Sequence, residues 1–516
     1  MKSKSRWHRA TVTGLIAASL LLAGCAAQST PSDTGSAATQ RDLIRWAGAG
    51  PVTTLDGAAS GDAPSMNAIM LTSGQLTRFD ENHQPHLDLA QSVQLSDDGL
   101  HATVTLLPDL KYSDGTAVLA EDLQYAFERN KAGTGAAFVA TIDSIDVIDD
   151  RTAVVNLKSP DPDLLSWFAE RALQLHPKSL IESDPNYWTH PVSAGPYVVD
   201  QGWEPGSSTF RASENPNYVH GPMAAKAIEI DSVPDASSRI LQLQSGELDA
   251  AIDLPLSSRD SFDSSVTVES APVGGSNYLI ANEKLGGPFA NQQVRQAMSL
   301  AIDRDKISNL AFYGLQPAST SPMFDCGDLC EPNLLPEDGA RDVDKAKALM
   351  AQAGYADGFS AELKVSSSRG GWQDAAVIVS QNLADIGINV TVTPVDEGQH
   401  FSSITSGNYQ LFFTGGGAQA QATLSQMLSP NGFWVTATGW TPPSEANDVL
   451  SQSASSLDAN ARRAAFSRAQ QIWADAAHVI SITERVQLNG SRLPTSVFVP
   501  QIKNDQKVLI KPLGSS

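Results

Sequence analysis

The loop Ser366-Ser367-Ser368-Arg369-Gly370-Gly371-Trp372 holds the side chain of this protein best suited to binding chemistry. Arg369 presents a planar, permanently charged fork of N–H donors that matches a carboxylate, each charge-assisted hydrogen bond being worth roughly 1.5–3 kcal/mol. Trp372 beside it offers a broad apolar face. A second stretch, Thr414-Gly415-Gly416-Gly417, carries three consecutive glycines. They read either as bare backbone on which an amide-bearing ligand lies or as a flexible turn. Trp434 and Trp440, in NGFWVTATGW, either stack on a ligand or fill core.

Groups for covalent or acid–base catalysis do not assemble. There is no G-x-S-x-G, no H-E-x-x-H and no Walker A loop, so no catalytic residue, enzyme activity or cofactor is expected. Glu121 and Asp122 are adjacent on a helix and point about 100° apart, which suits partners of the helix dipole rather than an acid–base pair. His83 and His86 lack a third ligand for a metal and read as surface histidines, and His400 reads as structural.

The chain is 516 residues long, 41% apolar and 18% charged, enough for two or three domains. Its formal charge of −22 excludes nucleic acid and anionic membrane faces as partners, because acidic surfaces repel phosphates. Lys2 to Arg9 is basic and is followed by an apolar run, Thr11 to Ala23, shorter than the roughly 20 residues a spanning helix needs. Residues 1–24 therefore read as a signal peptide. Leu22-Ala23-Gly24-Cys25 resembles a bacterial lipobox, which implies lipidation of Cys25. Residues 25–41, rich in Ser, Thr and Ala, form a tether. The expected location is the outer face of the bacterial cytoplasmic membrane, with the membrane contacted through the lipid alone. In that oxidising setting Cys326 and Cys330 read as a local disulfide rather than a metal site.

Several elements position the chemistry. Ala361 to Ser366 reads as a strand and Gln373 to Ile386 as a helix with Gly387 as its left-handed cap, so the Arg369 loop lies at the carboxyl end of a strand, where open α/β sheets bind ligands. Tyr278 to Ala281 is an apolar strand leading through a Gly-Gly-Pro turn into a helix with Val294, Ala297, Met298 and Ala301 on one face. Ile228 to Asp231, Ser237 to Leu243 and Ala250 to Asp253 read as one βαβ unit.

Asn277-Tyr278, Asn282, Pro288-Phe289, Val294-Arg295-Gln296-Ala297 and Ala301-Ile302-Asp303-Arg304 together resemble the family 5 solute-binding proteins of ABC transporters, the peptide- and nickel-binding group. Lys111 to Thr116 with Ala120 to Leu123, Gly195-Pro196-Tyr197 and Asn215-Pro216-Asn217-Tyr218 are similar to further segments of that family. The resemblance implies an α/β fold of two lobes, periplasmic-binding-protein-like (type II, cluster C), with an extra subdomain in lobe I. Lobe I would comprise residues 42–272 and 481–516, and lobe II residues 273–480. It implies a peptide or peptide-like solute, held in the cleft and delivered to ABC permease and ATPase subunits by a monomer. Arg369 matches the arginine that takes a peptide's carboxylate in dipeptide-binding members. Thr414 to Gly417, Trp434, Trp440, Trp372 and, on the opening strand, Gly48 complete the expected ligand-binding set. One departure stands out. Gly416 occupies the place of the aspartate that pairs with a peptide's α-amine in relatives, so either another acid replaces it or the ligand has no amine there. A metal chelate or other acidic small molecule is the alternative ligand, and a sensor or scaffold the alternative role.

Overall fold

The computed structural model describes residues 40–514 except 61, 132–134, 325, 418 and 503–506. The expected signal segment, Cys25 and the tether up to residue 39 lie outside the described residues. No helix among the described residues is long and apolar enough to cross a membrane.

An unbroken apolar run such as Tyr278 to Ala281 needs cover on both faces, because successive side chains of a strand point opposite ways. Leu279 and Ala281 enter a core with the helix Gln292–Ala301, whereas Tyr278 and Ile280 enter another with the helix Ala459–Ala476. The helical face expected from the spacing, Val294, Ala297, Met298 and Ala301, is fully buried. Side-chain caps start the surrounding helices. Asn291 accepts from Gln293 N–H, Asp235 from Ser238 N–H and Asp303 from Lys306 N–H, each satisfying an amide the helix leaves unpaired. Gly246 at φ 79° and Gly387 at φ 87° supply the left-handed backbone after two helices.

Ten strands form one sheet, and its two longest members run antiparallel through the middle: Thr267–Ala281 and Val479–Ser491. Their ladder shifts register between Pro272 and Ser276, beside the position where the sequence puts the first crossing. On one side, Leu411–Gly416 pairs with Thr267–Ala281 and, beyond it, Phe359–Ser366 and Ile388–Val395 run parallel. On the other side Ala250–Leu254, Ile44–Gly48 and Ala227–Ser232 run parallel. The expected βαβ unit thus has a strand inserted between its two strands: the opening strand Ile44–Gly48, whose Ile44 and Trp46 are fully buried, fills the gap. A separate four-stranded antiparallel sheet, built from Ala90–Leu95, His101–Leu106, Thr152–Leu157 and Ile142–Asp149, carries its own core around Tyr112, Leu123 and Phe127.

Local differences from the sequence reading have physical reasons. The strand at Tyr278 begins as early as Thr267, because pairing with Val479–Ser491 extends it beyond its apolar run. The N–H and hydroxyl of Thr116 both bond Asp114 in the turn before the helix Ala120–Asn130, and Leu119 is that helix's cap residue. Asp122 is buried, accepting from the Tyr112 hydroxyl at 2.9 Å and from Leu119 N–H.

Two buried histidines make stability depend on pH. Burial, reinforced by the positive charges of Arg129 and Arg295 respectively, holds the His176 and His478 imidazoles down at about 3. In the unfolded chain they take a proton near pH 6.5. Their contribution is therefore complete above pH 6.5 and lost as pH falls toward 3, by about 1.4 kcal/mol per pH unit for each group. Glu283 acts with the opposite sign: burial, opposed by Arg295, pushes its carboxyl up to about 7, so its contribution is lost as pH rises from 4.5 through 7. Replacing one histidine separates the effects. The fall in Tm between pH 7 and pH 5 is expected to be shallower in His478→Gln than in the unmodified protein, by about 2 kcal/mol at pH 5; equal slopes in calorimetry would remove His478 as a source.

Candidate functional site

The Arg369 loop follows the strand Phe359–Ser366 and precedes the helix Trp372–Ala384, as its sequence position requires. Ser366 is fully buried, its hydroxyl 3.1 Å from that of Ser368. Gly371 at φ 77° makes the turn into the helix, and a Cβ there would lie 2.4 Å from the Ala311 carbonyl. The Arg369 guanidinium sits 5.1 Å from the centre of the Trp372 ring, a cation–π arrangement. The loop walls an open concavity of about 340 Å3.

Gly415 lies directly beside this group. A Cβ there would be 3.0 Å from Trp372 Cζ2, 3.0 Å from Arg485 Cδ and 3.1 Å from Asn277 Oδ1. Thr414 is buried, with its hydroxyl 3.3 Å from His400 Nε2, and His400 in turn faces the Trp372 ring at 5.6 Å. Arg369, Trp372 and Gly415 are thus brought together.

Gly416 and Gly417 serve a different contact. A Cβ on Gly416 would lie 3.0 Å from Trp434 Cζ2, so the indole occupies the space that an aspartate would need. A Cβ on Gly417 would be 1.9 Å from the Gly274 carbonyl, and one on Gly275 would be 2.4 Å from the Gly416 carbonyl. The glycine run therefore admits the backbone of a neighbouring strand. Trp434 is buried and meets Tyr278 edge-on at 5.7 Å. Trp440 stacks on buried His478 at 4.1 Å and 13°. A Cβ on Gly48 would lie 3.5 Å from Ile252, with no residue of the Arg369 loop within 4 Å.

A larger cavity of about 670 Å3 is lined by residues from two stretches of the chain, 82–166 and 274–462. Asn82 to Pro85, Asp163 and Ser166 line it on one side, with Gly274, Gln419 and Arg462 opposite. Two contacts bridge its walls: Arg462 Nη2 bonds Asp163 at 2.5 Å, and Gln419 Nε2 bonds Glu170 at 3.1 Å. Glu170 also holds Lys507 at 2.9 Å in a buried ion pair. Cys326 and Cys330 are joined as a disulfide, Cα to Cα 5.0 Å, and border the same cavity. His83 packs on the Phe79 ring at 4.1 Å, and His86 bonds Asp80 at 3.1 Å. Among the described residues no group of three or more His, Cys, Asp or Glu side chains is placed to hold a metal ion.

Sequence reasoning missed Arg485, Gln419, Glu170, Asp163 and Arg462. For Arg485 a signal existed: a charged pair, Glu484-Arg485, interrupts the apolar run that returns the chain to the first lobe. The others become neighbours only through tertiary packing.

Two α/β lobes threaded by two shared strands, with a cavity lined by both stretches of the chain, define a solute-binding protein of the two-lobe type. The family model for bacterial extracellular solute-binding proteins, family 5, matches residues 84–433, and the chain belongs to that family. It is 27% identical over 472 residues to the glutathione-binding protein GsiB of Pectobacterium atrosepticum, covering 87% of this chain and 90% of that protein. Its fold is shared with HbpA2 of Haemophilus parasuis, at TM-score 0.79 and 20% identity over 91% of this chain and 100% of the other. The murein tripeptide-binding protein MppA, in an unliganded open form, superposes at TM-score 0.76 and 20% identity over 92% and 99% of the two chains.

The glycine geometry is testable by stability alone. Gly417→Ala must push two backbones apart, so a loss of about 1–3 kcal/mol and a lower Tm are expected. Gly370→Ala, with nothing within 4 Å of its added methyl, should leave Tm unchanged. Equal Tm values for the two variants would contradict the close approach.

Proposed function

We propose that this protein captures a peptide or peptide-like solute between its lobes and delivers it to the permease and ATPase subunits of an ABC importer. The observation that carries the reading is the cavity of about 670 Å3 lined by residues from two stretches of the chain, 82–166 and 274–462. A solute touching both walls stabilises the closed arrangement by the contacts it makes only there, and that difference drives closure. Micromolar capture corresponds to about 8 kcal/mol in total. The lobes of this reading are residues 42–272 with 481–516, and residues 273–480. The relative that binds glutathione supports a short peptide-like ligand.

In the same reading Cys25 carries lipid, the tether holds a monomer at the outer face of the membrane, and the membrane is contacted through the lipid alone. Arg369 takes an acidic group, with Trp372 and Gly415 beside it and Thr414 next in the strand, while Gly416 and Gly417 admit Trp434 and the neighbouring backbone, Trp440 packs on His478 and Gly48 packs on Ile252. Delivery of a metal chelate or other acidic small molecule is the second reading. It is favoured by the indole that fills the side-chain space at Gly416, which leaves no room for an amine-binding aspartate.

Native mass spectrometry of the purified protein is expected to find a co-purified solute of peptide-like or acidic composition. Arg369→Ala should weaken its binding tenfold or more while leaving the ligand-free Tm unchanged. Equal affinity in calorimetry would take Arg369 out of the site, and an identical scattering envelope with and without bound solute would overturn closure.

A further inference from the structure

The two stretches of chain that line the larger cavity also touch each other, through side chains rather than backbone. Arg462 belongs to the helix Ala459–Ala476, and Asp163 starts the short helix Leu164–Phe168. Their bond is oriented from both ends. Arg462 Nε donates to the Ser453 carbonyl at 3.1 Å, and its guanidinium lies 5.6 Å from the centre of the Phe466 ring, so its own surroundings point the Nη2 donor at Asp163. Asp163 holds the position from which a carboxylate ordinarily bonds the first amides of a helix. Among the described residues it makes no such bond, and its carboxylate goes to Arg462 instead. Gln419 repeats the arrangement. It starts the helix Ala420–Leu428, bonds no amide of that helix among the described residues, and donates to Glu170, which Lys507 Nζ holds at 2.9 and 3.0 Å.

We infer that these two contacts form a latch: side chains of the protein itself hold the walls of the cavity together, and a captured solute adds its contacts to theirs. This rests on the two-lobe capture reading above, in which residues 163 and 170 belong to one lobe and residues 419 and 462 to the other. The physical case is the use each side chain gives up. A helix start that forgoes its side-chain cap is less stable, and two do so here where the facing stretches meet. Neither contact is a backbone ladder or an apolar seal, so parting the walls exposes polar groups that water can solvate. The Arg462 and Asp163 side chains remain 13% and 31% exposed, so water and salt compete for their pair, and a fastening of that strength can both hold and release. Lys507 and Glu170, at 4% and 6%, form the fixed anchor on the other side.

The test follows hydrogen–deuterium exchange by mass spectrometry in full-length protein in mild detergent, comparing the unmodified chain, Arg462→Asp, and the charge swap that joins Arg462→Asp to Asp163→Arg. In Arg462→Asp, exchange is expected to rise about fivefold beside residues 163 and 462 and also at residues 82–84 and 419–421, which line the same cavity. The swap should return it at least halfway. Faster exchange confined to the substituted positions, a rise spread evenly over the whole chain, or a swap that returns nothing overturns the latch. So does an equal rise at 82–84 and 419–421 in Arg341→Asp, which breaks an ion pair with Asp385 outside the cavity lining. The same variants are titrated with trialanine and with glutathione in calorimetry. Binding about fivefold weaker in Arg462→Asp and recovered in the swap supports a latch that acts on capture, and equal affinities in all three overturn it. If the unmodified protein binds neither probe, peptide capture fails and the exchange pattern alone decides the latch.

Discussion

Two long strands, Thr267–Ala281 and Val479–Ser491, pair through the middle of a sheet that both lobes share, and everything else hangs from that pairing. Backbone hydrogen bonds fix their register, and the third strand of the set, Leu411–Gly416, approaches so closely that only hydrogen fits at Gly275 and Gly417. A side chain at either position would collide with a carbonyl oxygen. Hence Gly417, the last of three glycines that look like a ligand platform in the sequence, is needed first for chain-to-chain contact.

That close approach also distributes the aromatic and charged groups. Side chains alternate across a strand, so Gly415 opens toward Trp372, Asn277 and Arg485, whereas Gly416 opens toward Trp434. Trp434 then fills the volume that a side chain at Gly416 would need. Elsewhere carboxylates are taken up by tertiary partners: Asp163 bonds Arg462 at the larger cavity, and Glu170 holds Gln419 and Lys507.

Much of the fold was legible because periodicity reports burial. The apolar face of Gln292–Ala301, the left-handed cap at Gly387, and the strand ahead of the Arg369 loop all follow from local patterns and short-range sterics. The place of the Arg369 loop, between a strand's carboxyl end and a helix start, was legible because both flanking elements have local signatures. Trp434 and Trp440 were ambiguous in sequence, since a core indole and a cleft indole have the same local signature. Only packing against Tyr278 and His478 distinguishes them.

By itself, then, the sequence determined the element types and, through its matching segments, the two-lobe α/β class, because each depends on residues near one another in the chain. The tertiary structure alone decided the insertion of Ile44–Gly48 between the strands of the βαβ unit, the occupation of the Gly416 space by an indole, and the approach of Arg485 to Gly415. Those facts join positions far apart in the chain, or settle which side of a strand a group faces. Such relations are set by strand register and side-chain volume, which no local pattern encodes.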